Sequence, residues 1–205
     1  MVTGNNIALI KKFKEDMNMK YKITDLGPAN WLLGIKVERD LANKTIALSQ
    51  QAYIEVIITR FNFNNLKPCS IPMDPSAPLS KSQSPVKLDD IAKMRNVPYR
   101  EAVGSLMYAA MGTRPDITFT MSTVAQYSDN LGWKHWEAVK KNFRYLSGTK
   151  DWRLVYGGDG RGLVGYVDVD GASQDHRRAI SGYVLWWTDI SKMWKIIDGF
   201  IIEYN

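Results

Sequence analysis

The sequence predicts an α+β fold, in which a β-hairpin and a helical bundle are followed by a β-meander. Three observations predict it. Apolar and polar residues alternate through residues 31–50 and again after Thr149. Between residues 98 and 148 the apolar positions instead recur every three or four residues, the spacing of a helix face. A Pro- and Ser-rich stretch, residues 64–97, separates the hairpin from the bundle.

The elements follow in order. Residues 5–20 predict an amphipathic helix capped by Asn5 or Asn6, with Ile7, Ile10, Phe13 and Met17 opposite Lys11, Lys12 and Lys14. Gly27-Pro28 breaks the chain. WLLGIKVE (31–38) and KTIALSQ (44–50) read as two strands joined by the turn RDLANK. QQAYIEVIITRF (50–61) is a short helix with Tyr53, Val56, Ile57 and Phe61 on one face. From Asn64 to Val97, five prolines, five serines and scattered lysines predict a linker or mobile loop that buries little and divides the protein. Helices resume over 98–111, where Val103, Leu106, Met107 and Ala110 share a face. TRPDI (113–117) is a stop and restart, with proline suited to the first turn of the next helix. Residues 133–148 predict a third helix, with Trp133, Trp136, Val139, Phe143 and Leu146 inward and Lys134, Lys140, Lys141 and Arg144 on the other side. Strands WRLVYG (152–157), GLVGYVDV (162–169) and ISGYVLWW (180–187) complete a meander, and KMWKIIDGFIIEYN begins another apolar segment.

Composition narrows the class. A chain of 205 residues suits one domain or two small ones, and its net charge of +6 permits contact with a phosphate backbone without requiring it. Cys69 is the single cysteine, which excludes an intramolecular disulfide or a cysteine-based zinc cluster and favours a reducing, intracellular setting, cytoplasm or nucleus. The opening MVTGNNIALIKKFKEDM lacks a signal-peptide core, and no stretch of 18 apolar residues occurs. Gly-rich phosphate loops, nucleophile elbows and zinc motifs are absent from the sequence. His135 reads as a helix-surface residue and His176 as a turn residue.

Two stretches carry chemistry. In GYVDVDGAS (165–173), Asp168 and Asp170 stand two apart on a strand and so share a face. Paired carboxylates can hold Mg²⁺, although spacing alone favours a solvated strand end before Gly171. The basic side of residues 133–148 could follow a phosphate backbone or simply face water.

Seven phrases then occur in one order: MKYKITDLGPANWLLGIKVERD, LSQQAYIEVII, KPCSIPMDP, YREAVGSLMYAAMGTRPDITFTMSTVAQY, HWEAVKKNFRYLSGT, GLVGYVDVDGAS and DHRRAISGYV. In this order they resemble the pol polyprotein of copia-type LTR retrotransposons along nearly the whole chain. The resemblance implies the end of a reverse transcriptase palm over 1–63, with the hairpin as primer grip and Trp31 and Gly34 at the nucleic acid. It implies a linker over 64–97, a thumb-like bundle over 98–150 with Lys134, Lys140, Lys141 and Arg144 on the duplex, and a truncated RNase H-like domain over 151–205. Asp168 then matches the first of four metal-binding acids, where the family has Y-S-D-A-D-W-A-G, and Asp170 is its neighbour.

The departures shape the expectation. The family's polymerase motif, Y-V-D-D, belongs just before MVTGNN, and the later RNase H acids belong after a strand from which MWKIIDGFIIEYN diverges. The expected activity of this chain is therefore weak, salt-dependent binding of an RNA–DNA hybrid or duplex, without polymerisation or cleavage. Mg²⁺ is expected for the parent enzyme and not here. Other pol-derived chains are expected partners. The alternatives are an active enzyme completed by sequence outside this reading frame, and a domesticated protein-interaction module.

Overall fold

The computed structural model describes residues 2, 4, 6–74, 76–157, 163–170 and 180–187. Helix α1 (Ile7–Lys20) starts at Asn6, whose side-chain oxygen accepts from the N–H groups of Ala8 and Leu9, as the cap reading requires. None of its side chains is buried, and Ile7, Leu9 and Phe13 are exposed.

The predicted strand 31–38 is two strands. β1 (Trp31–Leu32) turns back at Leu33-Gly34 onto β2 (Ile35–Asp40), which pairs with β3 (Thr45–Ser49) across the predicted polar turn. β4 (Leu154–Tyr156) pairs with β3 and gives an antiparallel sheet in the order β1-β2-β3-β4. This corrects the three-strand meander, because residues 154–156 join the hairpin instead. Alternation identifies a strand but not its partner, and the outer edge of β3 offered unpaired N–H and C=O groups. β5 (Leu163–Asp170) and β6 (Ile180–Trp187) do pair with each other, antiparallel. Gly171, His176, the HRR run and KMWKIIDGFIIEYN lie outside the described residues.

α2 (Gln51–Arg60) sends Ile54, Ile57 and Ile58 inward. Residues 64–97, expected as a structureless linker, contain a 3-10 turn at Lys81–Gln83 and a helix, α3 (Leu88–Arg95). Met94 is buried, and Cys69, Leu79 and Val97 pack on the core. Side chains of the bundle take up the segment's carbonyls. Arg144 Nε donates to Lys67 O (2.7 Å), Tyr127 OH to Leu79 O (2.9 Å), and Ser84 Oγ returns a bond to Asn130 O (2.6 Å). Prolines remove donors but leave acceptors, so a Pro-rich stretch can be held by its carbonyls. Composition does not register that.

α4 (Tyr99–Gly112), α5 (Thr118–Ala125) and α6 (Trp133–Gly148) complete the bundle around Val103, Leu106, Met121, Val124, Val139, Phe143 and Leu146. The ends of α6 agree with the sequence reading, and Trp136, Val139, Phe143 and Leu146 face inward as expected, but Trp133 does not. Trp133 is 60% exposed, whereas His135, expected on the surface, is fully buried. The buried face takes in His135 and Asn142 but not Trp133, and His135 can be buried because both nitrogens of its imidazole find partners.

Those partners are the N–H of Gly132, which donates to Nδ1 (2.9 Å), and the carbonyl of Ser80, which faces Nε2 at 3.1 Å. The ring stacks on Tyr127 with centroids 4.0 Å apart. Both bonds suit the neutral imidazole with its proton on Nε2. At Gly132 a Cβ would lie 2.0 Å from the carbonyl oxygen of Gln83, so the junction tolerates only glycine. Burial holds the His135 pKa below the ordinary histidine value, against a smaller raising effect of the bond to Ser80. Its stabilising contribution is present above the unfolded-state pKa of about 6.5 and is lost as pH falls from there through the folded-state value. Urea unfolding at about pH 7.5 and about pH 5 should show this loss, and His135→Gln should shrink it. An unchanged difference in the variant would exclude His135 as its source.

Candidate nucleic-acid interface

The hairpin tip is built from WLLG. Leu33 and Gly34 both have positive φ, +50° and +78°, the signature of a two-residue type I′ turn, whose twist suits paired strands. Glycine adopts this conformation freely. Leucine pays roughly 1–2 kcal/mol in steric strain. Trp31, Leu32 and Leu33 are nonetheless exposed, Leu33 by 79%. One hydroxyl fixes this apolar tip to the bundle: Tyr108 of α4 donates to the Leu33 carbonyl. The Tyr108 ring meets Tyr53 of α2 edge-on at 4.9 Å, and Tyr53 OH donates to Ser105 O (2.9 Å). Of the predicted hairpin residues, Trp31 therefore presents its indole to the surroundings and Gly34 makes the turn that presents it. Tyr108 escaped sequence reasoning, because its role depends on a carbonyl 75 residues away.

The same end of the sheet is also seated on the helices at the β3–β4 edge. Buried Gln50, between β3 and α2, accepts from Thr113 Oγ1 (2.9 Å). Arg114, 1% exposed, lies at the junction of α4 and α5. Its Nε and Nη2 donate to the two oxygens of Asp116 (3.0 and 2.7 Å), and Nη1 and Nη2 donate to the carbonyl and hydroxyl of Thr149 (2.9 and 2.6 Å). The guanidinium also lies over the rings of Tyr145 and Trp152, at 5.4 and 5.5 Å. Tyr145 OH donates to Asp116 (2.8 Å). Burial alone would push the Asp116 carboxyl up, but the bonds from Arg114 and Tyr145 outweigh it and hold it below the usual range. The TRPDI stop is thus also the clamp that holds the approach to β4.

On α6 the four predicted cations share one side of the helix but have different environments. Lys134 is exposed. Lys140 pairs with Glu137 and sits over the Trp133 ring, 4.7 Å from its centroid. Lys141 is half-buried, and its carbonyl accepts from Cys69 Sγ (3.4 Å). Arg144 spends its Nε on Lys67 O. Of the four, Lys134 alone is exposed, while Lys140 is engaged with Glu137 and Trp133 and Arg144 is partly a structural tie.

Asp168 and Asp170 stand in β5 opposite Gly182 and Ile180 of β6, and their side chains lie outside the described residues. Among the described residues, no group of three or more His, Cys, Asp or Glu is placed to hold a metal ion. No helix among them is long and apolar enough to cross a membrane.

A family model described as reverse transcriptase (RNA-dependent DNA polymerase) matches residues 1–75. The chain is 40% identical over 196 residues to the Retrovirus-related Pol polyprotein from transposon TNT 1-94 of Nicotiana tabacum, covering 95% of this chain and 15% of that protein. It is 31% identical to the Retrovirus-related Pol polyprotein from transposon RE2 of Arabidopsis thaliana, covering 91% of this chain and 12% of the relative. It is 30% identical to a putative transposon Ty5-1 protein of Saccharomyces cerevisiae, covering 90% of this chain and 58% of the relative. The chain thus spans less than two thirds of each, and only a small part of the two Pol polyproteins. No solved structure matches it.

Proposed function

Because this chain belongs to the copia-type family of retrotransposon Pol polyproteins, in its reverse transcriptase part, we propose that it holds the template–primer duplex. In this reading the tip at Trp31–Gly34 is the primer grip, α4 to α6 form the thumb-like bundle, and Lys134, Lys140 and Lys141 follow phosphates with Arg144 behind them. Residues 64–97 brace that bundle. The strand carrying Asp168 and Asp170 starts an RNase H-like domain. Polymerisation, RNA cleavage and the Mg²⁺ they use belong to the longer Pol protein, with Asp168 one of its carboxylates. The exposed apolar residues of α1, Ile7, Leu9 and Phe13, suit contact with another part of that protein.

One observation carries the reading above all: an exposed, strained apolar tip held in place by the Tyr108 hydroxyl. Strain at an exposed position persists where surrounding bonds over-determine it, and such sites concentrate where ligands are gripped. A hydrophobic tip with a flat indole suits the sugar and base edges at a duplex end, while the lysines supply salt-sensitive attraction.

The test is a fluorescence-anisotropy titration of the 205-residue chain with a labelled RNA–DNA hybrid. Binding should weaken steeply with salt, and Trp31→Ala should lower affinity several-fold at fixed salt while leaving the far-UV spectrum unchanged. Equal affinity in the variant would remove the hairpin from the interface. No binding at low salt would overturn the proposal.

A further inference from the structure

We infer that the cleft beside Trp133 takes an unpaired nucleotide base, so that single-stranded template is held next to the duplex; this rests on the proposed template–primer role. The cleft, about 400 Å³, lies between the 83–97 segment and the start of α6. Pro85, Met94, Val97 and Trp133 supply its apolar lining, and Asp90 and Lys93 are its charged members.

Trp133 is the reason to assign this ligand. Its indole is 60% exposed while Trp136, three residues on, is 8% exposed. The helix therefore has room in its buried stripe for one tryptophan and leaves the other outside. Lys140 lies over the Trp133 ring, with Glu137 pairing its ammonium. The ring also borders the cleft. A planar heteroaromatic ring fits between an indole and an aliphatic wall, and stacking of this kind is indifferent to base identity. A base inside a duplex already has both faces covered, so only an unpaired one can enter. The volume suits one base with its sugar and excludes a duplex.

Charge favours nucleic acid over an apolar peptide side chain. Asp90 is paired with Lys93 (3.3 Å) and Glu137 with Lys140, so both nearby carboxylates are neutralised. Exposed Lys134, next to Trp133 in the chain, remains to meet a phosphate.

Two RNA–DNA hybrids of identical duplex, one blunt and one with a template overhang of roughly five nucleotides, test the inference against the full chain. The chain should prefer the overhang. Trp133→Ala should lower affinity for that hybrid about tenfold, leave the blunt one unchanged, and so erase the preference. Trp133→Phe should retain part of it. Since the indole is largely exposed, unchanged thermal melting is expected to accompany both variants. Equal binding of the two hybrids by the unsubstituted chain, or a preference that survives Trp133→Ala, would overturn the inference and leave duplex holding intact. Failure to bind either hybrid would overturn both.

Discussion

Arg114→Ala is expected to lower the free energy of unfolding by about 3–5 kcal/mol, a large part of the 5–15 kcal/mol typical of a domain. Arg114 is 1% exposed, and removal of its guanidinium leaves Asp116, the Thr149 carbonyl and the Thr149 hydroxyl without their shared partner. Lysine cannot replace it, because a point charge does not reproduce the planar fork that reaches Asp116 and Thr149 together. Asp116→Asn should also destabilise, since it leaves the Arg114 guanidinium, whose side chain is 2% exposed, without its carboxylate. The Asp116 pKa is depressed in the fold, so its stabilisation is present above the unfolded value of about 3.9 and disappears as pH falls through the folded one. Chemical denaturation measures the loss. Hydrogen exchange locates it: Trp152 is released with Arg114, so amides of β3 and β4 should exchange faster even where the bundle stays folded. Unaltered exchange over residues 45–49 would mean that the clamp does not seat the sheet.

Reversing Lys134, Lys140 and Lys141 to glutamate should weaken binding of an RNA–DNA hybrid by at least about tenfold at low salt and reduce the slope of log affinity against log salt by roughly two to three. Arg144 is left in place because its bond to Lys67 O secures the 64–97 segment, and changing it would confound binding with folding. Glu137 loses its partner and gains like-charged neighbours in this variant, so a thermal melt must show that the chain is still folded at the temperature of the titration. Unchanged affinity and slope would show that α6 does not meet the duplex, and would favour a bundle that docks protein instead.

Where one element's own residues were enough, sequence and structure agree. Asn6 caps α1, and α6 runs from Trp133 to Gly148, because a cap and a helical period are local properties. The pairing of β2 with β3 was equally legible, since a short polar turn joins two alternating runs. WLLGIKVE misled because its apolar residues read as one run across Gly34, and the conformation of Leu33-Gly34 shows the reversal. The inward position of Trp133 was a count of apolar residues. It failed because a histidine with both nitrogens paired can take the buried place. Of the candidate site, Trp31 and the lysines were legible as residue types, while Tyr108 and Arg114 were not, since their functions lie in bonds to backbone carbonyls distant in sequence.

The order of phrases along the chain, their periods and their charges determined the family, the α+β class and the elements expected to touch nucleic acid. Tertiary structure alone decided that β4 closes the hairpin's sheet, that the proline-rich stretch braces the bundle, and that one tryptophan of α6 stays outside. The reason is physical. A side chain's chemistry is written in the sequence, but a backbone carbonyl is the same at every position, and which ones are offered as acceptors depends on how the folded chain brings them together.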